Sequence, residues 1–174
     1  MSDALTTTSL TALHLDPLVK VGPVSHIGIV VKDVEEAVRF YSGTFGVGPF
    51  EIVEFDAAKT DYFHSYGESA TPKFRAALCY SGDFFIELVQ VTEGETVHTK
   101  FFGQHGEGLQ HLCFMVENTD AVLAKLASRG IKPVLDYRFS SGEGASRTTI
   151  REVYLNTHEF AGGTTIQLLE RITG

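Results

Sequence analysis

The chain carries the stretch V-S-H-I-G-I-V-V at residues 24–31 and repeats it as L-Q-H-L-C-F-M-V at residues 109–116. A second stretch, F-I-E-L-V-Q at residues 85–90, returns as T-I-Q-L-L-E at residues 165–170. The repeats align His26 with His111, and Glu87 with Gln167. A supersecondary unit that occurs twice predicts a pseudo-symmetric fold. Each copy offers one imidazole near its start and one side-chain oxygen near its end.

The first copy predicts the element order β-α-β-β-β. A buried strand at residues 24–32 leads to a helix that Asp33 caps and that glycines end after about Phe45. Apolar residues recur on one stripe of this helix, as expected of a helix that packs on a sheet. Further strands are predicted at residues 49–55, 74–80 and 84–91, and a short helix at 97–104.

The second copy repeats this order. A strand at residues 109–116 precedes a helix from Asn118 to Gly130, and strands follow near 131–139, 148–155 and 164–169. The predicted fold class is therefore α+β, with two tandem βαβββ modules that form a curved eight-stranded mixed sheet around a shared groove. The modules span residues 23–105 and 106–174 within one structural domain, and residues 1–22 form an N-terminal arm.

The segment at residues 57–72 is polar and aromatic. It is too long for a bare hairpin turn, so we predict a loop, and long loops of this kind often serve as lids over a site.

The composition is ordinary for a soluble globular protein, with 174 residues, 43% hydrophobic and 21% charged. The net charge of −8 disfavours nonspecific binding to nucleic acid or to an anionic membrane. Cys79 and Cys113 lie in apolar runs and are expected to be free thiols. The N-terminus lacks the pattern of a signal peptide, and no stretch is apolar enough to cross a bilayer. We therefore expect a cytoplasmic protein with neither nucleic-acid nor membrane partners.

Alternation along the strands predicts where the repeated polar residues point. In all four strands the polar residue lies opposite an aliphatic or aromatic face, so helices that cover those faces leave the polar groups together on the concave side. The four residues are His26, Glu87, His111 and Gln167. Two imidazoles, a carboxylate and an amide form a plausible ligand set for a divalent metal ion. A solvated concave face would explain one such residue, but four at matched positions favour a metal site.

Three stretches resemble the vicinal oxygen chelate superfamily, which includes glyoxalases, bleomycin-resistance proteins and dioxygenases. They are H-I-G-I-V-V-K-D-V-E-E-A-V-R-F-Y at 26–41, G-E-G-L-Q-H-L-C-F-M-V-E-N at 106–118 and G-G-T-T-I-Q-L-L-E at 162–170. These motifs look most like methylmalonyl-CoA epimerase. The resemblance implies a divalent metal at His26, Glu87, His111 and Gln167, and it does not choose between Co, Mn, Ni, Zn, Mg and Fe.

The resemblance implies a metal-dependent isomerase or epimerase that transfers a proton next to a carbonyl or thioester. The small-molecule substrate would be an acyl-CoA such as methylmalonyl-CoA, and the protein would be a homodimer. The epimerase usually has Gln at the second ligand position and Glu at the fourth, whereas this chain has Glu87 and Gln167. Since Glu87 is the only acid in the implied set, we hypothesise that it is also the catalytic base.

Other functions remain open. A glyoxalase I-like lyase usually carries Glu at both oxygen positions. A non-haem iron extradiol dioxygenase needs two His and one carboxylate, although it usually places the acid on the last strand. A non-catalytic binding or resistance protein commonly lacks the ligands.

Further candidate bases are Tyr62, His64, His98, His105, His158 and Glu159. Tyr62 and His64 lie in the predicted loop, and each alone is more often a surface residue than a catalyst. His158 and Glu159 lie in the turn before the last strand, where a substrate-facing role is open. Gln110, beside His111, is predicted on the opposite face in a structural role. No substrate-binding residue is identified.

Overall fold

The computed structural model describes residues 16–142 and 147–172. The first half contains β1 (Val24–Val30), α1 (Val34–Phe45), β2 (Glu51–Asp56), β3 (Tyr62–Ser65), β4 (Glu68–Ser69), β5 (Lys73–Ser81) and β6 (Phe84–Glu93). Helix α2 (Val97–His105) ends the first half, and the second half contains β7 (Gly108–Met115), α3 (Thr119–Leu126), β8 (Pro133–Ser141), β9 (Thr148–Leu155) and β10 (Thr165–Ile172). Short 3₁₀ turns lie at Ala57–Lys59 and Ala127–Arg129.

All strands belong to one mixed sheet in the order β2-β5-β6-β1-β7-β10-β9-β8-β3-β4. The central pair, β1 and β7, is antiparallel, whereas β1 runs parallel to β6 and β7 runs parallel to β10. The order on one side of the central pair therefore mirrors the order on the other. The predicted α+β class with a curved mixed sheet is confirmed.

The predicted strand number was wrong, because the described part of the chain has ten strands rather than eight. The two additional strands, β3 and β4, lie in the segment that was predicted as a loop. They form a hairpin around Tyr66-Gly67, which has positive φ angles of 52° and 86°. This hairpin pairs with β8 at the far edge of the sheet, and the buried Phe63 ring stacks on Tyr137 at 5.0 Å. The segment is thus part of the sheet.

Helices α1 and α3 cover the same side of the sheet, one in each half. The predicted stripe on α1 packs on Ala77 and Leu88, and α3 packs on Val153 and Leu168. Both helices begin at a side-chain cap. Asp33 accepts a hydrogen bond from the Glu36 amide, and Asn118 accepts one from the Ala121 amide, each at 2.9 Å. The helices therefore leave the concave side of the sheet available for polar residues.

Part of the concave side is filled by a hydrophobic core. Its buried members are Ala57, Phe63, Phe74, Val89, Val97, Leu135, Tyr137 and Tyr154. Val89 lies two residues beyond Glu87 on β6, and Tyr154 pairs with Gln167 across β9 and β10. By this register, the core closes one end of the groove directly beside the repeated polar positions.

The predicted N-terminal arm lies partly outside the described residues, which start at residue 16. Within the described part, Val19 packs against the cluster under α3, and the Gly22 amide donates a 2.7 Å hydrogen bond to the Met115 carbonyl. Among the helices in the two described ranges, none has the length and apolar character that a membrane span requires.

Candidate metal centre

Three of the four predicted ligands meet in the middle of the sheet, where β1, β6 and β7 lie side by side. The Nε2 atoms of His26 and His111 are 3.3 Å apart. Glu87 Oε2 lies 3.3 Å from His111 Nε2 and 3.7 Å from His26 Nε2. Two donors that each lie about 2.1 Å from one ion, at angles between octahedral and tetrahedral, are separated by roughly 3.0–3.4 Å. The triangle of donor atoms therefore has nearly the dimensions of one face of a metal coordination sphere.

Gly28 makes this approach sterically possible. It lies on β1 between two of the predicted ligands, paired with Glu87 on β6 and with His111 on β7. A Cβ atom at this position would overlap with the imidazole ring of His111. The ring therefore occupies the space that a side chain would need, and only glycine fits.

His111 is completely buried and held by its neighbour Gln110. Gln110 Oε1 lies 2.9 Å from His111 Nδ1 and 2.8 Å from Nδ1 of the buried His98. Gln110 Nε2 donates a 3.2 Å hydrogen bond to the Val97 carbonyl. A metal ligand whose second ring nitrogen is hydrogen-bonded in this way has a fixed orientation.

The prediction that Gln110 points to the opposite face was wrong. The β1–β7 register pairs Gly28 with His111 and then Ile29 with Leu109, so Gln110 is an extra residue on β7. A β-bulge of this kind interrupts the alternation of side chains. Gln110 and His111 can therefore both turn inward although they are adjacent.

His26 is held differently. Its ring stacks on Phe85, with centroids 4.3 Å apart, and its buried Nδ1 has no hydrogen-bond partner within residues 16–142 and 147–172. Burial lowers the pKa of His26 to about 4; the charge of Glu87 and the nearby amide of Gln167 oppose this shift, and His111 adds to it. Burial also lowers the pKa of His111 to about 3. Both imidazoles are consequently neutral near pH 7, the state in which a ring nitrogen can bind a metal.

Gln167 is also buried, next to His26. Its Nε2 donates a 2.6 Å hydrogen bond to Glu152, whereas its Oε1 is buried without a partner in the described part of the chain. A buried carbonyl oxygen without a partner is costly. The free oxygen of Gln167 beside His26 is what a fourth ligand would offer.

Glu152 is a site residue that the sequence reasoning missed. It accepts hydrogen bonds from the Gln167 amide and from the Tyr137 hydroxyl. Burial, followed by the charge of Glu87, raises the pKa of Glu152 to about 7, while its two hydrogen bonds act in the opposite direction. Its counterpart in the first half, by sheet register, is Ala76. The repeat therefore gave no signal, but strand alternation did, because Glu152 shares a face with the buried Tyr154.

Beyond the polar centre, the groove is lined by apolar side chains. The register of the strands turns these residues to the concave face: Leu78, Phe85, Met115, Ile150 and Leu169. All except Leu169 are partly exposed, and the exposed Tyr80 ring lies 5.0 Å from Phe85. We call these five residues the apolar collar. The collar contains no cationic side chain. The inward-facing cationic residue on β10 is Arg171, which lies two residues beyond Leu169.

The other candidate bases do not join the centre, with one exception. Tyr62 and His64 lie on β3 at the edge of the sheet, where the Tyr62 hydroxyl donates to Asp136. His105 and His158, 5.2 Å apart, line another cavity of about 500 Å³ together with Glu159, and Gln110 borders this cavity on the side of the centre. The exception is His98, which reaches His111 through Gln110.

Comparison with known families identifies the chain. Residues 25–148 match the family described as the Glyoxalase/Bleomycin resistance protein/Dioxygenase superfamily, and the chain belongs to this family. No curated protein matches the chain.

Solved structures share the fold. Methylmalonyl-CoA epimerase from Mycobacterium tuberculosis is 24% identical, with a TM-score of 0.55 over 90% of this chain and 93% of that one. A variant of Streptomyces coelicolor methylmalonyl-CoA epimerase, in complex with 2-nitronate-propionyl-CoA, is 19% identical and has a TM-score of 0.58. The match covers 87% of this chain and 98% of that one. A 4-hydroxymandelate synthase mutant from Streptomyces coelicolor is 11% identical and has a TM-score of 0.59. The match covers 88% of this chain and 50% of that one.

Proposed function

We propose that this member of the superfamily is a metal-dependent isomerase or epimerase, which transfers a proton at the carbon next to a carbonyl or thioester. The proposal rests on one observation, the convergence of donor atoms from His26, Glu87 and His111 at separations of 3.3–3.7 Å. Two neutral imidazoles and a carboxylate are ligands that many divalent metals accept.

We propose that His26, Glu87, His111 and Gln167 hold the metal. One buried polar atom supports this set, since Gln167 Oε1 has no partner in the described ranges, and His26 turns its Nε2 towards the other donors. The hydrogen bond from Gln167 Nε2 to Glu152 leaves the amide oxygen as the free end of that side chain. A bound divalent ion would act as a Lewis acid that stabilises negative charge on a substrate carbonyl oxygen.

Glu87 is the proposed catalytic base. A base must reach the proton that it removes, and the Glu87 side chain is 17% exposed whereas His111 is fully buried. A substrate that enters along the apolar collar would therefore meet Glu87 before the imidazoles. The carboxylate would alternate between binding the ion and binding the proton.

A second carboxyl group lies beside the proposed ligands, since Glu152 is bonded to Gln167. The surroundings of the two acids differ. Glu87 contacts imidazoles, and Glu152 accepts hydrogen bonds from an amide and a phenol. Two carboxyl groups in unlike environments are the arrangement that separates acid and base roles in proton transfer.

The apolar collar supports a substrate with an oxygen-bearing head and an apolar body. The head would face Glu87 and the histidines, and the body would pack on Leu78, Phe85 and Met115. Acyl-CoA thioesters have such a head. Methylmalonyl-CoA is the first substrate to test, because the two epimerase structures with the same fold are named for it.

The test is exchange of the α-proton with deuterated solvent. Protein loaded with Co²⁺, Mn²⁺, Ni²⁺, Zn²⁺, Mg²⁺ or Fe²⁺ is incubated with methylmalonyl-CoA and with longer acyl-CoAs, and deuterium uptake is followed by mass spectrometry. Glu87→Gln should reduce exchange by about 10²–10⁴-fold, the usual contribution of a general base, while some metal remains bound. The control is Glu93→Gln, which changes an exposed glutamate on the same strand. A fully active Glu87→Gln variant would exclude this role of Glu87.

A non-haem iron dioxygenase is the second candidate. The observation in its favour is the count of two histidines and one carboxylate, the facial triad of such enzymes. Oxygen consumption with catechols in the presence of Fe²⁺ distinguishes it from the isomerase. Deuterium exchange without oxygen consumption supports the isomerase, and the reverse result supports the dioxygenase.

A further inference from the structure

We propose that Gln110 is a positioning residue that fixes one tautomer in two buried histidines and thereby presents His111 Nε2 as a metal-binding lone pair. The inference rests on the proposed function in one respect only, because it assumes that the ligand set receives a metal. Its structural part concerns the protein alone.

The orientation of the Gln110 amide is determined by the Val97 carbonyl. A carbonyl oxygen can only accept a hydrogen bond, so the group 3.2 Å from it must be the NH₂ of Gln110. The amide oxygen then faces the two imidazoles. If the amide were reversed, two carbonyl oxygens would face each other inside the protein, which buried polar groups avoid.

The amide oxygen in turn fixes the protons on both rings. It lies 2.8 Å from His98 Nδ1 and 2.9 Å from His111 Nδ1. A carbonyl oxygen has two lone pairs and can accept from both. Each imidazole must therefore carry its hydrogen on Nδ1. The remaining nitrogen of His111, Nε2, is left with a lone pair, and it faces His26 and Glu87 at 3.3 Å.

His98 has no other assigned role, and its contacts agree with this one. It is the second residue of α2, where it is 2% exposed, and its ring lies edge-on to Tyr154 at 5.4 Å. By sharing the Gln110 oxygen, it ties the first turn of α2 to the centre of the sheet. The amide is thus held from three sides: His98, His111 and the Val97 carbonyl.

The bulge on β7 is the backbone feature that makes the arrangement possible. In a regular strand, Gln110 would point away from His111. The extra residue turns both side chains inward. Bulges commonly serve to re-aim a side chain next to a functional site.

The experiment measures the tautomer and the metal affinity separately. Long-range ¹H–¹⁵N spectra of the metal-free protein report which nitrogen carries the hydrogen in each buried histidine. Wild type should show a single Nδ1–H tautomer for His98 and His111. Gln110→Leu, which keeps the size but removes the acceptor, should lose this uniformity and weaken Co²⁺ or Zn²⁺ binding by about 10–100-fold, as outer-shell variants do.

Two variants complete the design. Gln110→Glu, in the protonated form that burial favours, can donate to the Val97 carbonyl as the amide does and keeps an oxygen that accepts from both rings. It should therefore retain the Nδ1–H tautomers even if Gln110→Leu does not fold. Gln90→Leu is the matched control, because Gln90 is an amide on β6 that bonds the Val34 amide on the helix-covered side. It should leave the tautomers of all buried histidines unchanged.

The possible results separate the two ideas. If His111 keeps the Nδ1–H tautomer in Gln110→Leu, or if Gln110→Glu loses it, the positioning role is wrong. If the tautomer changes as expected but wild type binds none of the metals, the positioning of His111 stands and the proposed metal function fails. If metal binds but its affinity is the same in Gln110→Leu, Gln110 has no influence on the centre.

Discussion

His26 and His111 occupy equivalent positions in the two halves, yet the protein holds them in different ways. His111 is fixed by a hydrogen bond to Gln110 and by the absence of a side chain at Gly28. His26 stacks on Phe85 and has a buried Nδ1 without a partner in the described residues. The duplicated fold therefore sets where the two imidazoles lie, but local contacts set how firmly each is oriented.

The two proposed oxygen ligands also differ in their surroundings. Glu87 lies on the open side of the centre, beside the apolar collar, whereas Gln167 is fully buried against Glu152. A carboxylate in the first half and an amide in the second half thus match their surroundings. The half whose imidazole is hydrogen-bonded at Nδ1 offers the neutral oxygen, and the half whose imidazole has no such bond among the described residues offers the acid.

The largest effect is expected from Gly28→Ala, because it would displace His111 and so remove the difference in how the two histidines are held. The new Cβ would overlap with the imidazole ring, and the paired strands on both sides prevent β1 from moving away. We expect a loss of about 3 kcal/mol in the free energy of unfolding, at the upper end for overpacked sites. Metal binding should be lost as well. Urea denaturation and metal titration measure the two effects.

Gly43→Ala is the matched control for this substitution. Gly43 lies inside α1, and a Cβ atom there would have nothing within 4 Å. Alanine is the better helix former, so this variant should be more stable by about 0.5–1 kcal/mol. Equal effects of the two substitutions would contradict a specific requirement for glycine under His111.

Much of the fold could be predicted because the sequence repeats and because the strands and helices have distinct apolar periods. The caps at Asp33 and Asn118 were visible as residue types that end a strand and begin a helix. The hairpin of β3 and β4 was not predicted. Its turn, Tyr66-Gly67, lacks the Asn-Gly or Asp-Gly signal of such turns, and its stability comes from pairing with the distant β8.

The candidate site was predictable where it follows the repeat and the period of two. Those rules predicted that four polar residues share one face of the sheet: His26, Glu87, His111 and Gln167. They failed for Gln110, because a bulge changes the period locally. They also failed for Glu152, whose counterpart Ala76 is apolar. Contacts that belong to one half alone cannot be found by comparing the halves.

A smaller effect is expected from Gln167→Glu, which tests whether position 167 in the second half can hold a carboxyl group in place of its amide. The variant replaces the amide that donates to Glu152 with a second carboxyl group. Because the pKa of Glu152 is already raised to about 7, the two carboxyl groups should share one proton at lower pH and carry two facing charges only at higher pH. Loss of the donor should therefore cost about 1–3 kcal/mol of unfolding free energy above about pH 8, and less at about pH 6. Urea denaturation of the metal-free protein measures the loss.

The double variant Gln167→Glu/Glu152→Gln sharpens this test. It restores one amide donor and one carboxylate acceptor, with their positions exchanged, so stability should return most of the way to wild type. Residues in one hydrogen-bond network are expected to be coupled in this way. Additive losses in the double variant would mean that the contact between Gln167 and Glu152 does not determine which half holds the acid.

The smallest effects are expected where the two halves are truly equivalent, at the helix caps. Asp33 and Asn118 each accept a backbone hydrogen bond at 2.9 Å from the residue three positions on. Asp33→Ala and Asn118→Ala should each reduce the free energy of unfolding by about 1 kcal/mol. The caps lie on different helices with no shared partner, so the double variant should lose about 2 kcal/mol, the sum of the two. Urea denaturation measures all three variants.

The control for a lost surface hydrogen bond is Ser128→Ala. It removes a hydroxyl that donates to the Lys125 carbonyl from the 3₁₀ turn after α3. Clearly unequal losses would mean that the two halves differ in their helices as well as around the candidate metal centre. Equal losses would mean that the halves differ only in the contacts around the two imidazoles.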